Sequence, residues 1–295
     1  MTTAVQVRGL VKRFGRTVAV GGVDLEVAPG EVVGFLGPNG AGKTTVLRVL
    51  TGALRPTAGE VSVLGRDPFR DVPAARRSLG FLPGDLRLPA HLTARQVLDL
   101  CAALRDDTDA GARLVERFDV PLDVPVAALS KGNRQKVGVV QALMGAPSVL
   151  LLDEPSSGLD PLAQEVLEQE VRAAADRGAA VLLSSHVLRE VEQVADRVVL
   201  LRQGMVVAAA RLEELRSTAP HDVEIDADGL DITALRAVPG IADVVEQGGR
   251  VRMSAPAAAL DGLLAVLARA HVRDVRIAPA DLEALFLHYY EGAGR

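Results

Sequence analysis

The sequence predicts an α/β fold with a mainly parallel central sheet, followed by a smaller α+β domain, and three observations lead there. Four short runs, Glu31–Leu36, Ser148–Leu152, Ala179–Ser184 and Arg197–Leu201, are almost wholly apolar, as strands covered on both faces are. Helical periodicity fills the spaces between them, in Val46–Leu50, Thr93–Leu104, Ser130–Met144, Pro161–Ala175 and Val187–Val194, and strands alternating with helices make a parallel sheet. After Gly204 the pattern changes. A bridge, Met205–Pro220, leads to strand Asp222–Ile225, helix Ile232–Val238, strands Ala242–Glu246 and Arg250–Ser254, helix Ala257–Ala270 and strand Val272–Ile277, then a last helix from Asp281. That βαββαβ order is a ferredoxin-like unit. The expected division is residues 1–217 and a small accessory or dimerisation domain, 218–295.

Composition bounds the function. With 48% hydrophobic and 24% charged residues, the chain is globular rather than disordered. Its 33 Lys+Arg against 38 Asp+Glu give a net charge of -5, with no overall electrostatic footprint for nucleic acid. Residues 221–295 hold 7 Arg against 12 Asp+Glu, so the acidic excess belongs to the small domain, as a solvated face or a protein contact. A single cysteine, Cys101, excludes an intramolecular disulfide framework and fits a reducing compartment. Charged residues interrupt every apolar run well short of the ~20 residues of a membrane span. The opening MTTAVQVRGLVKRFG has no apolar core of signal-peptide type. A cytoplasmic chain is expected.

Scarce residue types point to two segments. The only lysines are Lys12, Lys43, Lys131 and Lys136, and the only asparagines Asn39 and Asn133; most fall in one glycine-rich loop or in one short stretch near residue 130. Gly37-Pro38-Asn39-Gly40-Ala41-Gly42-Lys43-Thr44 follows a strand, precedes a helix and fits GxxxxGK[ST]. In such a loop backbone N–H groups converge on phosphate oxygens, the helix dipole adds to them, Lys43 reaches the β and γ phosphates and Thr44 ligates magnesium. Val149–Glu154 ends an apolar strand in two carboxylates: Asp153 is suited to the magnesium shell and Glu154 to polarising a water. Leu129-Ser130-Lys131-Gly132-Asn133-Arg134-Gln135 opens a helix that Ser130 is placed to cap. It reads either as a capped helix and nothing more or as a second anion site.

Five motifs in order, GPNGAGKT, LSKGNRQ, VLLLDEP, SSGLD (Ser156–Asp160) and Ser184-Ser185-His186, make the chain resemble the ATPase subunit of ATP-binding cassette (ABC) transporters over about residues 4–217. The resemblance implies a P-loop NTPase cassette that uses ATP and Mg2+. Two copies sandwich two nucleotides head to tail, so that the phosphate loop, Gly37–Thr44 with Thr45, faces the Ser130 helix of the other copy. It implies that Ser130 and Gly132 contact the γ phosphate in trans, that Asp160 lies in the loop joining the two sites, and that His186 senses the γ phosphate beside Glu154. A histidine capping the following helix is the competing reading. Phe14, in Lys12-Arg13-Phe14-Gly15, matches the aromatic that stacks on adenine; a core phenylalanine is its alternative.

One departure stands out. After strand Leu79–Leu82 the family commonly carries a glutamine that ligates magnesium and touches the membrane subunit, whereas this chain reads Pro83-Gly84-Asp85. Glycine has no ligand atom, so either Asp85 or a water replaces it, or coupling runs through neighbours such as Leu86–Leu92. The mechanism expected is in-line attack of water on the γ phosphate, with Glu154 as base, Lys43 and magnesium neutralising charge, and the partner's Ser130 helix completing the site.

LSKGNRQ and the ending Leu282–Tyr290 (LEALFLHYY) look like bacterial exporters of drugs, antibiotics or lipids. The implied partners are an integral membrane permease and a second cassette copy, with no nucleic acid, at the cytoplasmic face of the membrane. The alternative is a soluble ABC ATPase acting on ribosomes or DNA. Those usually fuse two cassettes or insert a long coiled coil, whereas this chain has one phosphate loop and no sustained heptads. A nucleotide binder without turnover is a third class, which the Asp153–Glu154 pair disfavours.

Overall fold

The computed structural model describes residues 3–70, 77–104, 109–218 and 220–278. The expected helix from Asp281 and the Leu282–Tyr290 segment lie outside them. Two units divide at Ala210–Arg211.

The first unit opens with strands that no apolar run announces. β1 (Val5–Phe14) and β2 (Thr17–Val27) form an antiparallel hairpin, and β4 (Ala58–Val63) pairs with the free side of β1. This sheet buries Val5, Val7, Leu10, Val20, Val23, Leu25 and Val27 on one face. Register shifts beside Gly9 and Gly21 interrupt the alternation, as bulges do.

β3 (Val32–Leu36), β6 (Val149–Asp153) and β7 (Ala180–Ser185) are buried at every residue. With β5 (Leu79–Leu82), β8 (Arg197–Arg202) and β9 (Met205–Arg211) they make a six-stranded sheet, order β5-β6-β7-β3-β8-β9. From β5 to β8 every pairing is parallel. The register sets Asp153 beside Ser184 and Leu36 beside Ser185, so the ends of β3, β6 and β7 share one edge, where open parallel sheets place their ligands. β9 occupies part of the expected bridge. It follows β8 through Gln203 and Gly204, both at positive φ, as a two-residue hairpin turn requires.

Helices cover this sheet. α1 (Lys43–Leu50) follows β3 directly. α2 (Ala94–Ala103) starts at a capping box, Thr93 with Gln96. α4 (Lys131–Leu143) starts at Ser130, and α5 (Pro161–Asp176) at Asp160 with proline in its first turn. α6 (Leu188–Glu192) is shorter than expected, because the chain turns back at Gln193–Asp196 to enter β8. α3 (Asp109–Arg117) is tied to α5 by a buried carboxylate. Arg113 donates to both oxygens of Glu170 at 2.6 and 2.7 Å, and Arg117 donates to Oε1. Burial pushes the Glu170 carboxyl up, but Arg113 and Arg117 outweigh it and hold it below the ordinary range. No helix among the described residues is long and apolar enough to cross a membrane.

The second unit begins with α7 (Leu212–Thr218) and continues β10 (His221–Asp228), α8 (Ile232–Ala237), β11 (Ala242–Gln247), β12 (Arg250–Ala255), α9 (Leu260–Leu267), β13 (His271–Ala278). Its sheet runs β11-β12-β10-β13, antiparallel throughout, which is the ferredoxin-like arrangement. Val223, Ile225, Leu235, Met253 and Leu263 form its own core. The helix expected over Ala257–Ala270 is shorter. Ala257–Ala259, after Pro256, is a 3-10 turn, and α9 ends at Leu267.

Candidate functional site

The phosphate loop is built from β3, which delivers Gly37, and α1, which starts at Lys43. Gly42 caps α1 at φ 108 with no side-chain cap, and no acidic residue occupies the first turn. The first-turn N–H groups therefore meet no carboxylate from their own turn and keep their pull on an anion. Gly42 is required twice over, because its φ is left-handed and a Cβ there would lie 2.7 Å from the Ala19 carbonyl oxygen. The loop is backed by other strands. Gly204 N donates to Ala41 O at 2.9 Å, and Gly21 N donates to Gly204 O at 2.8 Å. A cleft of about 180 Å³ runs over Pro38, Asn39, Gly40, Ala41, Gly42, Lys43, Thr44 and Thr45, with Ala19 and Glu154 on its walls.

Lys43 is buried. Its Nζ donates to Gly37 O at 2.5 Å and Pro38 O at 3.3 Å and lies 3.4 Å from Glu154 Oε1. The other oxygen, Oε2, lies 2.6 Å from His186 Nδ1. Glu154 therefore joins the loop lysine to a half-exposed histidine. Its backbone takes φ 50, an uncommon conformation for a non-glycine residue, and its N–H is held by Ser184 O and Oγ at 3.1 and 3.2 Å. His186 does not cap α6, which has Val187 at its N-cap and no side-chain cap.

Asp153 is buried, with Oδ1 accepting from Ser184 Oγ at 2.6 Å while Oδ2 has no hydrogen-bond partner among the described residues. A buried, unpaired carboxylate oxygen is costly unless a cation meets it. No group of three or more His, Cys, Asp or Glu among the described residues is arranged to hold a metal ion. Magnesium needs none, since it takes one or two carboxylates and completes its shell with water and phosphate. Asp153 and Thr44 therefore fit that ion. Gly84 lies against the same carboxylate, where a Cβ would sit 3.1 Å from Oδ2. Asp85 is engaged elsewhere, in a pair with Arg48 of α1 at 2.7 Å.

The remaining sequence-predicted residues fall outside the lining of that cleft. Ser130 caps α4 by accepting from Asn133 N at 3.1 Å. Gly132 lets α4 approach the loop before α5, because a Cβ there would be 2.6 Å from Gly158 O. Asp160 accepts from Ala163 N and pairs with Lys136 at 3.2 Å, and these contacts hold its carboxyl below the ordinary range. Phe14 ends β1 half exposed, with Lys12 Nζ 5.1 Å above its ring, so it is not a core residue. Sequence reasoning missed two contributors. Ser184 supports the Asp153 carboxylate and the Glu154 backbone N–H, and buried Gln135 donates to Pro155 O at 2.9 Å behind Glu154. Gln135 closes LSKGNRQ and Ser184 opens Ser184-Ser185-His186; membership of those motifs was their only signal.

Comparison with known proteins adds a lineage. The pattern of the family described as ABC transporter matches residues 20–157. The chain is 37% identical over 303 residues to the daunorubicin resistance ATP-binding protein DrrA3 of Streptomyces coeruleorubidus, covering 97% of this chain and 95% of that one. It is 35% identical over 229 residues to the daunorubicin/doxorubicin resistance ATP-binding protein DrrA of Streptomyces peucetius, covering 75% and 69%. A solved structure described as the ATP binding subunit of an ABC transporter superposes with a TM-score of 0.67 at 31% identity, over 72% of this chain and 92% of that chain.

Proposed function

This chain belongs to the ATP-binding subunits of ABC transporters, and from that premise we propose that it cuts ATP between two copies of itself to drive export of a drug, antibiotic or lipid through a separate permease. One observation carries the hydrolytic reading. Glu154 lies within reach of both the loop lysine and His186, 3.4 Å from Lys43 Nζ and 2.6 Å from His186 Nδ1. A carboxylate fixed there by its backbone is suited to orient a water and take its proton as that water attacks the γ phosphate. His186, bonded to the same carboxylate, would register the phosphate. Lys43 would exchange Gly37 O and Pro38 O for phosphate oxygens. Thr44 and Asp153 would hold magnesium, which neutralises phosphate charge when bound.

Ser130, Gly132 and Asp160 are assigned to the partner's nucleotide. They are not in the lining of the cleft over their own phosphate loop, and a site shared between two copies gives them a nucleotide to meet. Phe14 is assigned to the adenine face because it is half exposed at the end of a hairpin. The export reading draws on the relatives named for daunorubicin resistance, and it places the chain against the cytoplasmic face of a membrane. Purification of the tagged full chain from gently solubilised membranes tests it. A multi-span membrane protein without a cassette of its own is expected to accompany it; ribosomes or DNA in its place would overturn the reading.

A further inference from the structure

We propose that Ser184 is the positioning residue of the metal-binding carboxylate: its hydroxyl holds one oxygen of Asp153 so that the other is presented to the magnesium that accompanies ATP. The inference rests on the reading of Asp153 as a magnesium ligand.

Ser184 is wholly buried near the end of β7, opposite Asp153 in the parallel register. A serine hydroxyl has one proton to give. This one goes to Asp153 Oδ1 at 2.6 Å, a distance typical of donation to a charged carboxylate. The hydroxyl oxygen itself accepts from Glu154 N at 3.2 Å, so one side chain fixes the direction of the Asp153 carboxylate and the backbone from which Glu154 departs. Asp153 Oδ2 is left buried and, among the described residues, unpaired. On that side Gly84 brings no side chain, and even a Cβ would lie 3.1 Å from Oδ2. A carboxylate with one oxygen saturated and the other bare is poised for a single metal bond, and groups that orient a metal ligand in this way contribute strongly to metal affinity.

Mn2+ binding to the full chain saturated with a non-hydrolysable ATP analogue, read by electron paramagnetic resonance, tests this without turnover. Ser184→Ala is expected to weaken Mn2+ binding about 10- to 100-fold, with analogue affinity in EDTA unchanged. Ser184→Thr, which keeps the hydroxyl, should return Mn2+ affinity to within a few fold. If Ser184→Ala melts early, Ser184→Cys has a similar size and only a weak donor, and a folded Cys variant should show the same defect. A folded Ala or Cys variant that binds Mn2+ like the parent overturns the inference. Asp153→Asn separates the two levels. If it too binds like the parent, the magnesium reading fails and takes this inference with it; if it alone loses the ion, only Ser184 is acquitted.

Discussion

Replacing Glu154 by Gln keeps the size of the side chain and removes its charge and basicity, so it separates chemistry from binding. As a base, the carboxylate is worth about 10²- to 10⁴-fold in turnover, or roughly 3–5.5 kcal/mol of barrier. The ground state moves the other way. Glu154 Oε1 lies 3.4 Å from Lys43 Nζ, and two unit charges at that distance attract by about 5 kcal/mol at an effective dielectric constant near 20, before desolvation is subtracted. Incoming phosphate must break this pairing and then sits beside the carboxylate. With Gln the lysine is released and the repulsion is gone. Glu154→Gln should thus bind ATP at least as tightly as the parent while releasing phosphate at least about a hundredfold more slowly. The bound state should persist as a species of twice the chain mass in light scattering. Turnover within a few fold of the parent would refute the base assignment, and a tenfold loss of ATP affinity would refute the electrostatic argument.

Lys43→Ala should cost most of the ATP affinity in an equilibrium titration, because a buried cation reaching the loop carbonyls at 2.5 and 3.3 Å is the positive charge that the loop can turn on a phosphate; unchanged affinity would contradict the phosphate-loop assignment. Phe14→Ala should weaken ATP by about 1–3 kcal/mol, the range of base–aromatic stacking, with the melting temperature unmoved since the ring is half exposed. Removing Arg113 and Arg117 together should destabilise by about 3–5 kcal/mol, because Glu170 stays buried without a partner. Glu170→Gln should cost less, since it leaves two partly exposed arginines; urea denaturation ranks the variants. The Glu170 carboxyl sits below its ordinary value, so its contribution is complete above about pH 4.3 and is lost as pH falls through the lower native value. The acid-side fall in melting temperature should therefore shrink in the Gln variant.

Strands β3, β6, β7 and β8 were legible because burial on both faces keeps the middle of each run apolar, as from Val32 to Leu36 or Val149 to Leu152. β1, β2 and β4 were not. They bury one face only, and bulges beside Gly9 and Gly21 break the alternation that would have revealed them. The phosphate loop was legible because its requirements are local: glycine where Ala19 O crowds the backbone, lysine at the start of the helix. Contacts across the sheet leave no such trace. Ser184 reads as the polar end of an apolar run until β6 and β7 are registered and Asp153 is found beside it. Glu170 reads as one more acidic position on an amphipathic helix until Arg113 and Arg117 arrive from α3.

The seat beneath the phosphate loop has a consequence for product discrimination. Ala41 is held by Gly204, Gly204 by Gly21, and Gly42 has no room for a Cβ beside Ala19, so two distant stretches of chain, β2 and the turn before β9, brace the cradle. On the proposed function, a cradle so braced would greet spent and fresh nucleotide alike over the phosphates they have in common. On the same reading, telling the two apart would then fall to Glu154 on the cleft wall and to His186 bonded to it, the pair that would feel whether the last phosphate is still attached.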